Sequence, residues 1–466
     1  MRGVRGVDRM GELCTREPAF IRLTQGPKPQ RAAFYDFFNT EIMKEVFYMT
    51  EAIVMITIDC EKKSELRNII VSSQHLNPRS SAGIEDIVSD ICGLQYDPNP
   101  TILLNQYMML WNRKKDFIAE NLDVAAYKEF KIIESFAFKR NMFFVPYNEF
   151  AIYRAATKDI IRWGSSDESW LMAATSPCDL AAENELKKGL QNLPGMTAKQ
   201  IWESLHLSDE WNAYIKGRKE GNLSFELPIF RAFYRLIRKT ELVTCGRNAG
   251  TFREPLYILK ENIGIKEWPN QGISKDNARS YIIEKLISSF GVTYPLHISH
   301  VTGIPTAEIM PVFSQLEQKK TILPFQLKNA KKVFYIHSSK INSLDECNRS
   351  QMQNSEEVRL ISPMDILFRD QTWLKTFFDY SFKFEYFKKK GMKWPLSILV
   401  GNRFVGYLDC KMEWQTKRFI IKEKNIFDSA FENHKGIKVA IQELAAFHEA
   451  KEIIERSNGM SNILLN

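Results

Sequence analysis

A chain of 466 residues is longer than a single hydrophobic core usually supports, so we expect two to four domains. Its 44% hydrophobic and 26% charged residues exclude a chain that is disordered throughout. The formal net charge of +8 fits a nucleic acid or another anionic partner without requiring one.

The cysteines and the apolar segments narrow the class of protein further. Seven cysteines are scattered singly with no Cys-x-x-Cys pair, which indicates neither a zinc module nor a disulfide framework and favours a reducing cytoplasm. No stretch approaches the roughly 20 consecutive apolar residues that a bilayer span needs. We therefore predict a cytoplasmic protein without a membrane span, a metal site or another cofactor.

Residues 1–55 are predicted to be an N-terminal extension. Its first part mixes arginines with acids and lacks the apolar core of a secretory signal, so we expect disorder there. The aromatic-rich part that follows could form one amphipathic helix. Met55 would also serve as a start codon, so an over-extended gene model is an open alternative for everything before it.

The first folded unit is predicted over residues 56–185. From Lys62 onward the pattern is helical, and one face carries apolar or small side chains at Leu66, Ile69, Ile70 and Ser73. A second helix follows in GIEDIVSDICG, where a glycine is placed to end it. The segment LQYDPNP comes directly after this helix.

Two further units are predicted over residues 186–268 and 269–342. Each reads as helices followed by two strands with a short connector, as in LVTCGR and REPLYIL around GRNAG, and in TILPFQL and KKVFYIHSS. This order of elements is typical of a winged helix. Winged helices in tandem favour a nucleic acid as the partner, although the same fold also serves protein contacts.

A polar linker at residues 343–357 separates these units from a β-rich C-terminal domain at 358–466. Strands are predicted in FKFEYF, PLSILVG, RFVGYLDCKME and KRFIIKE. A final long helix is predicted over GIKVAIQELAAFHEAKEIIERS, residues 436–457. Its apolar face comprises Ile437, Ala440, Ile441, Leu444, Ala445 and His448.

Several motifs resemble one protein family. GLQYD with the following MLWNR, LISPMDILFRD with FFDYSFKFEYF, and ILVGNRFVGYLDCKME are similar to segments of the winged-helix DNA glycosylases of the AlkZ and YcaQ (AlkX) type. The resemblance covers roughly residues 56–455. It implies an α+β chain with three tandem winged-helix domains, a β-rich, barrel-like C-terminal domain and a terminal helix.

The resemblance also implies an activity. The family excises alkylated, cationic purines, chiefly N7-substituted guanines, and its YcaQ branch unhooks interstrand crosslinks. Its catalytic Gln-apolar-Asp motif falls on Gln95 and Asp97. The implied partner is double-stranded DNA with alkylated or crosslinked bases, bound by a nucleoid-associated monomer.

The chemistry of the two side chains supports this assignment. In an extended segment residues two apart face the same way, and Pro98 keeps Asp97 out of the helical region of backbone space. Cleavage of the N-glycosidic bond builds positive charge on the sugar, which an ionised Asp97 would stabilise while it presents a water molecule. The neutral amide of Gln95 could orient that water.

Two alternatives stay open at this stage. Asp-Pro-Asn-Pro taken alone is typical of a plain turn. Leu104 and Gln106 stand where many family members carry Arg and His, and SFAFKRN places Arg140 near a family histidine. The chain could therefore be a non-catalytic winged-helix DNA-binding protein or a transcriptional regulator that has lost the chemistry.

DNA contacts are predicted for four cationic side chains, namely Arg113, Arg140, Arg247 and Lys114. The lysine run 388–390 is more typical of a solvated face. His297 and His300 have a spacing that could bind a metal, but no third ligand is evident. His448 is predicted to be a core or edge histidine.

Overall fold

The computed structural model describes residues 56–58, 62–97, 102, 104–160, 177–207, 228–248, 254–328, 330–340, 357–381, 394–455 and 461–464. The predicted N-terminal extension, the strand FKFEYF and the lysine run 388–390 lie outside the described residues, as does the predicted linker up to residue 356. The described elements mix helices with four sheets, which confirms the predicted α+β class.

The described chain begins with β1 (Ile56–Ile58) and α1 (Lys63–Ser73). The predicted inner face of α1 is confirmed, because Leu66, Ile69, Ile70 and Ser73 are all buried. The three apolar side chains pack with helices of the third unit in one large apolar cluster.

The first unit contains α2 (Ile84–Asp90), β2 (Leu94–Gln95), α3 (Asn105–Arg113), α4 (Ala119–Asp123), β3 (Ile132–Phe136), β4 (Met142–Pro146) and α5 (Phe150–Thr157). Its strands form an antiparallel sheet in the order β2-β4-β3. Gly93 has a φ of 94°, and its N–H donates to Val88 O at 2.8 Å. This left-handed glycine turns the chain from α2 into β2, as predicted.

The second unit contains α6 (Pro177–Leu190), α7 (Ala198–Ser204), α8 (Pro228–Lys239), β5 (Leu242–Arg247) and β6 (Pro255–Leu259). The predicted hairpin is confirmed, since β5 and β6 pair in antiparallel fashion. Helix α6 crosses the predicted boundary between residues 185 and 186. Its buried Ala182 and Leu186 pack with Leu236 in the core of this unit, so α6 belongs to the second unit.

The third unit contains α9 (Lys275–Phe290), β7 (Val292–Thr293), α10 (Pro295–Thr302), α11 (Thr306–Gln318), β8 (Ile322–Leu327) and β9 (Val333–His337). Its sheet has the order β7-β9-β8, and β1 adds to β8 in parallel. The first and third units therefore share one topology, in which the short strand pairs with the last strand of the hairpin.

The C-terminal domain contains β10 (Val358–Ile361), α12 (Gln371–Phe378), β11 (Pro395–Val400), β12 (Arg403–Glu413), β13 (Arg418–Ile426), α13 (Lys435–Phe447), β14 (Glu452–Glu455) and β15 (Ser461–Leu464). The described strands form an open sheet in this order and do not close into the predicted barrel. Strands β13 and β14 run parallel, which requires a crossover connection, and α13 supplies it.

The predicted final helix is shorter than expected. Helix α13 ends at Phe447, Glu449 adopts a left-handed φ of 55°, and the EIIE segment becomes β14. Pairing with β13 overrides the helical pattern there, because two adjacent isoleucines suit a strand. His448 is 1% exposed, which confirms it as a core histidine, and burial lowers its pKa to about 4.

Helix α3 connects the first unit to the C-terminal sheet. The Asn112 side chain donates from Nδ2 to Leu360 O at 2.9 Å and accepts at Oδ1 from Leu360 N at 3.1 Å. This side chain therefore completes the hydrogen bonding of one β10 residue. The pair fixes the helix that follows the motif against the C-terminal domain.

Candidate active site

Strand β2 carries the predicted catalytic motif at the edge of the first sheet. Leu94 and Gln95 pair with β4, and Tyr96 N donates to Met142 O at 2.9 Å. The segment is therefore extended, as the sequence predicts. Continued register places Asp97 beside the turn that joins β3 to β4. The prolines at 98 and 100 lie outside the described residues, so their restraint on Asp97 stays a prediction.

The side chain of Gln95 is almost completely enclosed. It is 5% exposed, and its Oε1 is buried without a hydrogen-bond partner. The backbone oxygen of Gln95 accepts from Asn105 Nδ2 at 2.8 Å, which fastens the strand to the start of α3. Asp97 is half-buried, next to the edge of the sheet. That the two side chains share one face stays a prediction.

A cationic side chain from the C-terminal domain lies beside Asp97. Burial lowers the pKa of Arg369 to about 10, while the carboxylates of Asp365 and Asp97 oppose that shift. Arg369 therefore stays charged at neutral pH and lies within electrostatic reach of Asp97. Its Nη2 is buried without a hydrogen-bond partner. Arg369 lies in the LISPMDILFRD segment, whose resemblance to the family implied no role for this side chain.

The turn between β3 and β4 carries two further cationic side chains. Lys139 and Arg140 have left-handed φ values of 51° and 54°. Burial lowers the pKa of Lys139, and the nearby Arg369 lowers it further, whereas Asp370 raises it. Arg140 is partly exposed, and its guanidinium forms no hydrogen bond or ion pair with any described residue. Arg140 is thus available for the predicted DNA contact.

Arg113 is buried inside the protein, although the sequence predicted a DNA contact for it. It is 0% exposed and donates to Asp365 from Nη1 at 2.7 Å and from Nη2 at 3.0 Å. Further bonds reach Met109 O at 3.1 Å and Gln74 Oε1 at 3.3 Å. This corrects the predicted DNA contact, because no surface of the guanidinium is open to a phosphate. Arg113 instead joins α3 to the C-terminal domain.

Lys114 and Arg247 are both engaged within the protein. Lys114 Nζ donates to Ala82 O at 2.8 Å from a partly buried position. Arg247 pairs with Glu134 of β3, and the two closest atoms are 2.7 Å apart. Its guanidinium also lies over the Tyr96 ring, 4.2 Å from the centroid. Arg247 is therefore engaged with the motif from an almost enclosed position, which argues against the predicted DNA contact.

The start of α3 buries two amides with unused hydrogen-bonding capacity. Gln106 is 0% exposed, and neither its Nε2 nor its Oε1 has a partner. Asn105 Oδ1 is also buried without a partner. Leu104, the other departure from the family pattern, is 2% exposed. Both departures therefore lie inside the first unit rather than on its surface.

We expect Gln106→Met to stabilise the protein. A buried polar group without a partner costs about 1–3 kcal/mol, and methionine has nearly the same shape without that cost. Denaturant unfolding should therefore show a higher midpoint for the variant.

Gln74→Met is the matched control for Gln106→Met. The Gln74 amide donates to Ser289 O at 2.8 Å and to Ser289 Oγ at 2.9 Å, and it accepts from Arg113. Loss of these bonds should lower the unfolding midpoint. A decrease for Gln106→Met as large as that for Gln74→Met would contradict the prediction.

The two histidines of LHISH have separate structural roles. His297 is buried, which lowers its pKa to about 3, and its ring stacks on Trp373 with centroids 4.7 Å apart. His300 Nδ1 lies 3.0 Å from Asp370 Oδ2. Among the described residues no group of three or more His, Cys, Asp or Glu side chains could hold a metal ion. None of the helices in the described ranges is long and apolar enough to span a bilayer.

Comparison with known proteins gives one family and one fold. Residues 88–447 match the family model described as "DNA glycosylase AlkZ-like". Among solved structures, the chain is similar to the DNA glycosylase AlkZ of Streptomyces sahachiroi, with a TM-score of 0.57 and 12% sequence identity. That alignment covers 84% of this chain and 98% of the other. At this identity the likeness concerns the fold. No curated protein matches the chain.

Proposed function

Because the chain belongs to the AlkZ-like DNA glycosylase family, we propose that it hydrolyses the N-glycosidic bond of cationic, N7-alkylated purines in duplex DNA. The observation that supports this most directly is the position of Gln95 and Asp97 at the end of a short edge strand, beside a cationic turn. Crosslinked purines carry the same N7 linkage, so unhooking of interstrand crosslinks is part of the proposal.

Asp97 would act on the sugar and on water. An ionised carboxylate lowers the energy of the positive charge that develops on the sugar as the base departs. It would also accept a proton from the attacking water. An N7-alkylated purine already carries a positive charge, so it leaves without a general acid. The proposed enzyme therefore needs one carboxylate and no second acid, as in a monofunctional glycosylase.

Gln95 and Arg369 would support that carboxylate. The buried Gln95 Oε1 has no partner, so it can accept a hydrogen bond from a water or a sugar hydroxyl once DNA opens the site. Arg369 stays charged beside Asp97 and favours the ionised carboxylate. Arg369 would thus keep the carboxylate charged and Gln95 would orient the water or sugar, and neither side chain adds a second anion.

The three units are proposed to act as tandem winged helices on the DNA backbone. The described sheets of the first and third units place the short strand next to the last hairpin strand, which suits this fold. In the second unit a bridge between Met196 and Tyr257 takes the place of the short strand. The protein would bind one duplex as a monomer associated with the nucleoid. Cations of the β3–β4 turn would contact phosphates near the lesion.

We expect Arg140→Gln to weaken DNA binding. Removal of one phosphate contact should raise the dissociation constant and reduce the slope of log affinity against log salt by about one. Titration of a labelled duplex at several salt concentrations measures both quantities. Lys319→Gln, which removes an exposed charge at the end of α11, serves as the control. An unchanged slope in Arg140→Gln would contradict the predicted contact.

A base-release assay tests the proposed function as a whole. A duplex with one N7-methylguanine is incubated with excess protein, and alkali then cleaves any abasic site that has formed. Strand breaks that depend on the protein and on alkali support a monofunctional glycosylase. If the protein binds the duplex but forms no abasic sites, the proposed glycosylase activity is wrong. The buried Leu104 and Gln106 would then favour a non-catalytic DNA-binding protein.

A further inference from the structure

A side chain from the hairpin of the second unit contacts the strand that carries Gln95 and Asp97. Arg247, the last residue of β5, donates from Nη2 to both Glu134 oxygens, at 2.8 and 2.7 Å. Its Nη1 donates to Tyr96 Oη at 3.0 Å, and its Nε donates to Tyr127 Oη at 3.1 Å. All three partners belong to the first unit. One side chain thus joins the two units beside the motif.

Arg247 contacts Tyr96 in two ways at once. Its guanidinium carbon lies 4.2 Å from the ring centroid, and its Nη1 bonds the hydroxyl. Tyr96 stands between Gln95 and Asp97, so a restraint on its ring fixes the rotation of the strand about its own axis. The side chains of Gln95 and Asp97 then keep one orientation.

The strand needs such a restraint because its own pairing is short. Only Leu94 and Gln95 are paired with β4, and one further backbone bond follows at Tyr96. Among the described residues β2 is an edge strand with a neighbour on one side only. The described backbone bonds to β4 therefore end one residue before Asp97.

A β-bulge precedes Arg247 in the hairpin of the second unit. The register between β5 and β6 shifts at Cys245, where a bulge adds one residue. A bulge changes the face from which the following side chains project, and bulges often redirect a side chain next to an active site. Arg247 follows this bulge by two residues.

The charge of Arg247 is already matched inside the protein. Burial lowers the pKa of its guanidinium, but the Glu134 carboxylate together with Tyr127 and Tyr96 raises it, and the net shift is upward. The side chain of Glu134 is 1% exposed and that of Arg247 is 10% exposed. With both charges enclosed and paired, a DNA phosphate would have to break the pair to reach Arg247.

We propose that Arg247 is a positioning residue, which holds the Gln95–Asp97 strand through Tyr96 and makes excision depend on docking of the second unit. This inference rests on the proposed function. Any event that separates the second hairpin from the first unit would release the strand and stop the reaction. Arg247 itself contacts no DNA.

The test measures single-turnover excision of N7-methylguanine and DNA affinity separately. Arg247→Lys keeps the charge but loses the planar stacking and the paired bonds to Glu134. We expect its rate at saturating protein to fall by about ten- to a hundredfold, because small displacements of a reactive group have effects of that size. The dissociation constant and its salt dependence should match the wild type.

Two further substitutions at Tyr96 keep the test decisive if Arg247→Lys folds poorly. Tyr96→Phe loses one hydrogen bond but keeps the ring under the guanidinium, so most of the rate should remain. Tyr96→Leu removes the stacking surface and should be as slow as Arg247→Lys. Equal rates for Phe and Leu at this position would overturn the proposed restraint.

Arg238→Lys is the matched control. Arg238 also belongs to the second unit and contacts the first, because its guanidinium lies 4.4 Å above the ring of Phe136, on a strand that is not paired with β2. Its excision rate should equal that of the wild type.

Three further outcomes overturn the inference. A higher dissociation constant with a lower salt slope and an unchanged rate for Arg247→Lys would make Arg247 a phosphate contact. An unchanged rate and affinity would leave it without a role. No excision by the wild type would overturn the proposed function and, with it, any positioning role in that reaction.

Discussion

Replacing Asp97 by asparagine is expected to slow single-turnover release of N7-methylguanine by at least about a hundredfold, because the substitution removes a preorganised charge worth about 3 kcal/mol. Asparagine keeps the size of the side chain, so the site should keep its shape. The dissociation constant for DNA should rise little or fall, because a carboxylate repels phosphates.

Enzyme in excess over a labelled duplex gives the excision rate, and titration of the same duplex gives the affinity. Asp276→Asn is the control, because it makes the same chemical change at an exposed position in the first turn of α9. Excision by Asp97→Asn at the wild-type rate would remove Asp97 from the mechanism. Loss of affinity together with rate would show that the variant no longer forms the complex.

Arg113→Met is expected to destabilise the protein by about 3–5 kcal/mol, because it leaves the buried Asp365 carboxylate without its cation. The two side chains are 0% and 1% exposed, so water cannot replace the lost bonds. Denaturant unfolding followed by circular dichroism measures the change. Because Arg113 joins α3 to the C-terminal domain, we also expect the two parts to separate more easily, which limited proteolysis would show.

Arg403→Met is the control for this effect. Arg403 pairs with Asp428 at 3.0 Å, but the two side chains are 55% and 37% exposed. Loss of such a surface pair changes stability by less than about 1 kcal/mol. The double variant Arg113→Met with Asp365→Leu should recover part of the lost stability, because both charges are then gone. A single variant as stable as the wild type would contradict the buried pair.

Together, the variants distinguish side chains that act in the reaction from side chains that stabilise the fold. The Asp97 variant tests the reaction, the Arg140 variant tests phosphate binding, and the Arg247 variant tests the orientation of the strand that carries the reactive group. The Arg113 and Gln106 variants test stability, and we expect the first to lower and the second to raise the free energy of unfolding. A measurement of rate, affinity and unfolding on the same set of variants would therefore assign each side chain to one role.

The sequence was sufficient where local pattern decides the outcome. The apolar face of α1, the hairpin β5–β6 and the left-handed turn at Gly93 follow from side-chain periodicity and backbone sterics, and all three are present. The extended form of the motif follows from the same local physics. The family could be read from the motifs, because they are short segments with fixed spacing.

Local pattern failed where distant segments compete. The residues after Phe447 continue a helical pattern, yet they pair with β13 because that strand offers hydrogen bonds and apolar contacts which a lone helix end lacks. Local pattern also does not decide how the strands of the C-terminal sheet are arranged. Whether six strands close into a barrel depends on their order and direction, and strand-forming patterns carry neither.

The amino-acid sequence alone was enough to propose which side chains could carry the chemistry, namely Gln95 and Asp97, two residues apart in an extended segment. What surrounds these side chains became known from the folded chain. From the sequence, Arg113 and Arg247 are both predicted DNA contacts, but one is buried against Asp365 and the other against Tyr96 and Glu134. Arg369 comes from more than 250 residues away. The electrostatic interaction between two charges depends on their distance in space, and their separation along the chain does not reveal that distance.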